Sequence, residues 1–122
     1  YLSDKKDRTV AYWTTSGYPV KFKELYLLEI NNLKNNFNEI GYSGHNLGIA
    51  VDVAAATLGC EWIERHFTLD RTAKGTDNAA SLEPSGLSKL VRDTKAVVES
   101  LQYKNIDLTD DEKNNREKLK ND

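Results

Sequence analysis

The chain has 122 residues, 17 Lys+Arg against 19 Asp+Glu, and a formal net charge of -2. That length holds one core with no room for a second, and 39% hydrophobic with 30% charged residues describes a folded domain rather than a disordered one. Charge this close to balance argues against an electrostatic nucleic-acid binder, and the lone Cys60 leaves neither an internal disulfide framework nor a multi-cysteine metal site.

No apolar run approaches the roughly 20 residues of a membrane helix, and no signal-peptide pattern opens the chain. A cytoplasmic setting is therefore expected. Tyr1 stands where an initiator Met would, and the sequence contains no Met. A processed N-terminus or a piece of a longer protein is the expectation.

Residues 1–8 are mostly polar and read as a helix end or loop. Thr9–Thr14 is β-branched and aromatic and runs into Ser16-Gly17-Tyr18-Pro19, which is the pattern of a buried strand entering a turn. Phe22, Tyr26, Ile30, Leu33 and Phe37 then recur at spacings of 4, 4, 3 and 4, one stripe down a helix. Glu39–Ser43 reads as a second strand. Leu47–Gly59, with its alanines and its closing glycine, reads as a helix packed tightly on a sheet and stopped at Gly59.

Glu61–Phe67 reads as a third strand, and 68–84 as a long loop. From Leu87 to Leu101 helical spacing returns, with Ser85 the expected N-cap. The tail from Asp107 is a solvated helix or a linker. Trp13 and Trp62 fall within strands and are expected in the core, and Cys60 reads as a small buried hydrophobe.

The order β-α-β-α-β-α with short connections implies parallel strands and right-handed crossovers. A small doubly wound sheet and a segment of an eight-fold (β/α)₈ barrel both satisfy it. Polar residues gather at the C-terminal ends of the strands, where parallel α/β folds keep their active sites, and this favours the barrel.

Each group also has a plainer use. His45 and His66 are the only histidines, both at strand ends, where two imidazoles can converge on one ion or simply be hydrogen-bonded. With no third histidine, an open, solvent-completed Mn²⁺ or Mg²⁺ site fits better than a closed zinc cage. Ser16 and Ser43, with Thr14, Thr15 and Gly17, offer hydroxyls and backbone N–H groups to a phosphate or carboxylate, or serve as ordinary turn residues. Glu64 precedes His66 by two, so strand alternation aims both at one face. Arg65 between them points to the helix layer, where a structural ion pair is its plain role. Asp77, in the Lys74-Gly-Thr-Asp77 loop, can accept from sugar hydroxyls or be an ordinary surface aspartate of a glycine-containing loop, and Tyr18 can meet a substrate or pack on its loop. No G-x-G-x-x-G or Walker loop is present.

Together the segments resemble the sialic acid synthase (N-acetylneuraminate synthase) family. The likeness lies in Thr14-Thr-Ser-Gly-Tyr-Pro19, Gly41-Tyr-Ser-Gly-His45 with Leu47-Gly-Ile-Ala50, Ile63-Glu-Arg-His-Phe-Thr-Leu-Asp70, Lys74-Gly-Thr-Asp77 and Ala80-Ser-Leu-Glu-Pro84. It runs from about residue 9 to residue 103, with the motifs in order.

The resemblance implies a TIM barrel of which residues 1–103 supply the last three β/α units. Residues 104–122 would then open a linker toward an antifreeze-like domain absent from this chain. It implies metal-assisted condensation of phosphoenolpyruvate with an N-acetylated amino sugar such as N-acetylmannosamine, in a full-length homodimer, with no nucleic acid or membrane partner. Residue by residue, His45 and His66 resemble the metal ligands. Ser16 and Ser43 resemble groups on the phosphoenolpyruvate phosphate, and Tyr18, Glu64 and Asp77 resemble sugar-side contacts. Trp13-Thr14 stands where many members have His-Cys, Ala73 where Trp is common and Asn78 where His is frequent. These departures bear on the choice of sugar more than on the metal pair. Two other readings stay open: a half-barrel binding or scaffold module without turnover, and an unrelated small α/β domain of flavodoxin-like type.

Overall fold

A computed structural model describes residues 9–17, 19–75, 78–104 and 110–121. The expected sites Tyr18 and Asp77 lie outside the described residues. Three strands, β1 (Val10–Thr14), β2 (Glu39–Gly44) and β3 (Trp62–Arg65), form one parallel sheet in the order β1-β2-β3. Helices α1 (Glu29–Asn36) and α2 (Ala50–Thr57) are the crossovers, α3 (Pro84–Ser100) follows β3, and α4 (Asp110–Asn121) closes the chain. The class is α/β with a parallel sheet, as expected. No helix among the described residues is long and apolar enough to cross a membrane.

Alternation along the strands sorts the two faces. Ile30 of α1, Ile40 and Tyr42 of β2, Ala55 of α2 and Cys60 form the buried cluster on the helix side, and Trp13 and Ile63 pack against it. The other face carries Tyr12, Gly41 and Trp62 in one register row, and Thr14, Ser43 and Glu64 in the next. A Cβ on Gly41 would lie 2.6 Å from Cε2 of Tyr12 and 2.9 Å from the Trp62 carbonyl oxygen, so only glycine lets that ring lie across the strand. Trp62 is 47% exposed rather than a core residue, because its place on β3 puts it on this uncovered face.

Two local expectations are corrected. The helix drawn through Phe22–Phe37 is broken. Phe22–Glu24 is a short 3₁₀ turn, Tyr26 takes φ 45 in the left-handed region, and α1 begins only at Glu29. The cause is tertiary. Trp13 Nε1 donates to the Leu25 carbonyl at 2.8 Å and Leu25 is buried, so the chain is held to β1 while Phe22 and Tyr26 turn outward.

The N-cap of α3 is Glu83, not Ser85. Pro84 occupies the first helical position, where its fixed φ suits the helix and its missing N–H costs nothing. The stop at Gly59 holds. With φ 111 it ends α2, its N–H reaching Ala56 O and the Cys60 N–H reaching Ala55 O, both at 3.1 Å.

Candidate active site

The residues at the C-terminal ends of β2 and β3 meet. Ser43 and Glu64 are register partners, and Ser43 Oγ donates to Glu64 Oε1 at 2.8 Å. Thr14 closes the row from β1, its hydroxyl donating to the Ser43 carbonyl at 3.0 Å. One layer further out, the rings of His45 and His66 stand 5.6 Å apart between centroids, tilted by 44°. The neighbours in space are 21 residues apart in each pair, because β2 and β3 run parallel and in register.

His45 Nδ1 lies 3.0 Å from the Thr15 carbonyl oxygen. A carbonyl can only accept, so Nδ1 is the donor in this contact. A carbonyl behind an imidazole is the usual way a histidine ligand is oriented.

With metal–nitrogen bonds of about 2.1 Å, two imidazoles on one ion have centroids roughly 4.5–5.5 Å apart, close to the 5.6 Å of this pair. The donor set fits an open site. Among the described residues no group of three or more His, Cys, Asp or Glu could hold an ion, so two imidazoles would leave the other positions to water and substrate.

Ser16 lies exposed in the turn after β1, next to Gly17 with φ 118, and makes no hydrogen bond to the Ser43–His66 group among the described residues. A pocket of about 240 Å³ opens elsewhere, between Gly48, Arg71, Ser85 and Lys89 at the start of α3, and none of the expected metal, phosphate or sugar contacts lines it.

Beneath the strand ends lies a polar group that periodicity alone does not single out. Arg65 Nη1 pairs with Asp52 Oδ2 at 2.7 Å, with both side chains almost completely buried. Tyr42 Oη donates to Asn46 Oδ1 at 2.6 Å, and Asn46 is fully buried. Burial pushes the Asp52 carboxyl up while the Arg65 charge pulls it back. Burial pushes the Tyr42 phenol up to about 12, helped by the Asp52 charge. Arg65 facing the helix layer in an ion pair follows from strand alternation. Asp52 had a weaker signal, a lone acid within the apolar run Ile49–Ala56.

Residues 2–105 match the NeuB family. The chain belongs to that family. It is 47% identical over 89 residues to N-acetylneuraminate-9-phosphate synthase of Homo sapiens, covering 71% of this chain and 25% of that protein. It is 37% identical over 98 residues to N,N'-diacetyllegionaminic acid synthase of Campylobacter jejuni, covering 80% of this chain and 29% of that protein. The crystal structure of N-acetylneuraminic acid (sialic acid) synthetase from Leptospira borgpetersenii in complex with citrate superposes with a TM-score of 0.76. The two are 33% identical, and the match covers 95% of this chain and 42% of that one. The chain thus spans about a quarter of the length of the curated relatives. Membership in the family removes the unrelated flavodoxin-like reading.

Proposed function

We propose that this segment supplies the metal pair and part of both substrate contacts of a synthase that condenses phosphoenolpyruvate with an N-acetylated amino sugar, giving a nine-carbon sialic-type acid. The observation that carries the reading is the approach of His45 to His66 above the Ser43–Glu64 pair, at the C-terminal edge of a parallel sheet in a NeuB-family chain. In this reading β1, β2 and β3 belong to the last three β/α units of a (β/α)₈ barrel, and residues 104–122 open a linker. The setting is cytoplasmic and the full-length form a homodimer.

His45 and His66 would hold a Mn²⁺ or Mg²⁺ ion through their imidazoles. When bound, that ion polarises the aldehyde oxygen of the open-chain sugar. Ser43 and Ser16 bind phosphate oxygens of phosphoenolpyruvate, and Glu64, with Tyr18 and Asp77, accepts from sugar hydroxyls, so that C3 of the enolpyruvate faces the aldehyde carbon. Placement of this kind is worth several kcal/mol of barrier. The new bond joins C3 to that carbon. Water adds at C2, and phosphate leaves.

The test is a chimera in which this segment replaces its counterpart in the human synthase. Phosphate release that requires phosphoenolpyruvate and the amino sugar, and that disappears with His45→Ala, is the expected result. A folded chimera without sugar-dependent phosphate release would overturn the reading in favour of a half-barrel module without turnover.

A further inference from the structure

The two histidines sit on separate segments, one just past β2 and one just past β3, yet a single side chain on the opposite face of the sheet ties their backbones together. Arg65 immediately precedes His66. Its Nη2 donates to the carbonyl of Asn46, the residue after His45, at 2.7 Å, and to the carbonyl of Ala80 at 2.9 Å. Its Nη1 donates to the Gly48 carbonyl and to Asp52 Oδ2, each at 2.7 Å. One guanidinium thus spans the β2–α2 loop, α2 and the segment leading to α3, with the Arg65 side chain only 3% exposed.

The path is cleared for it. A Cβ on Gly44, the register partner of Arg65, would lie 2.9 Å from Arg65 Cδ and 2.9 Å from Asn46 Oδ1. A planar fork reaching several acceptors at once is the property that separates arginine from lysine.

We infer that Arg65 is a positioning residue which, through the Asn46 and Gly48 carbonyls and Asp52, sets the distance between His45 and His66. The inference rests on the proposed metal reading but makes a separate claim, since the clamp fixes the ring spacing whether or not an ion is present. Outer contacts that orient histidine ligands change metal affinity by about 10- to 100-fold when removed.

The test uses the chimeric synthase that carries this segment, as the parent chain, with two variants of it. Arg65→Met combined with Asp52→Leu removes the buried pair without stranding a charge, a replacement that cores tolerate. Arg65→Lys keeps a cation opposite Asp52 but gives up the fork. Ring-to-ring nuclear Overhauser contacts between His45 and His66 and Mn²⁺ binding are measured alongside circular dichroism.

In folded variants the ring contact should weaken by more than half, and the Mn²⁺ dissociation constant should rise about 10-fold or more. Parental ring contacts in a folded variant would overturn the inference, as would their absence in the parent chain. Unfolding of both variants would also overturn it, by making Arg65 a requirement of the fold instead. If the parent binds no Mn²⁺ while its ring contact still depends on Arg65, the metal reading falls and the clamp stands.

Discussion

Ser43 donates its one hydroxyl proton to Glu64 Oε1 at 2.8 Å across the β2–β3 pair. A serine hydroxyl has a single proton. Ser43 therefore cannot donate to an anion and to Glu64 at once, and a phosphate seated on Ser43 leaves Glu64 to take its hydrogen bond from another hydroxyl. In the proposed reading, phosphate contact and sugar contact would be coupled through this pair.

In the chimeric synthase, Ser43→Ala should raise the apparent KM for phosphoenolpyruvate by about 10- to 150-fold, the worth of one hydrogen bond to a charged group. Mn²⁺ affinity should hardly change. Glu64→Gln should act on the other side, raising the KM for the amino sugar while leaving that for phosphoenolpyruvate equal or lower. Steady-state kinetics with each substrate varied in turn checks both. A larger effect of Ser43→Ala on the sugar would exchange the two assignments.

His45→Ala and His66→Ala should each lower Mn²⁺ affinity by orders of magnitude while preserving the circular dichroism spectrum. The rings lie at the end of the sheet where residues serve chemistry more than stability, and one imidazole leaves mostly water around the ion. Calorimetric titration with Mn²⁺ decides it. Parental affinity in both variants would return the histidines to a hydrogen-bonding role.

The isolated chain should self-associate. Tyr12 at 39% and Trp62 at 47% exposure stand on a sheet face that no described element covers, and β1 and β3 are both edges of the three-stranded sheet. Light scattering during gel filtration should report dimers or larger species. A monodisperse monomer with a sharp thermal transition would contradict this. The same chain alone should show no turnover, since Ser16 and Ser43 are too few donors for the charge of phosphoenolpyruvate.

Stability should fall in alkali. Burial pushes the Cys60 thiol from 9.0 up to about 11, with Lys34 pulling the other way. Burial also pushes the Tyr42 phenol from 10.0 up to about 12. Both groups are neutral in the folded state at neutral pH, and their raised values mean that folding holds their protons more tightly than the unfolded chain does. Their contribution is therefore complete below about pH 9 and is lost as pH rises toward 12. Denaturant midpoints measured from pH 7 to 11.5 should stay level and then drop. At pH 8 only about one Cys60 in a thousand is thiolate, so alkylation by iodoacetamide should be far slower than that of a free thiol.

Features that depend on a single element were legible in the residues. Alternation placed Glu64 on one face of β3 and Arg65 on the other, the small-residue run ending at Gly59 marked α2 and its stop, and clustered hydroxyls and histidines marked one edge of a parallel sheet. Such patterns survive in sequence because a side chain's face follows from its position along its own strand or helix.

The rest required partners distant along the chain. The turn at Tyr26 came from Trp13 holding Leu25, and the exposure of Trp62 came from a sheet face left uncovered. The 5.6 Å between His45 and His66 depends on the β2–β3 register and on a guanidinium crossing behind it. Register, loop closure and buried polar pairing are settled between segments, and no periodicity within one segment records them.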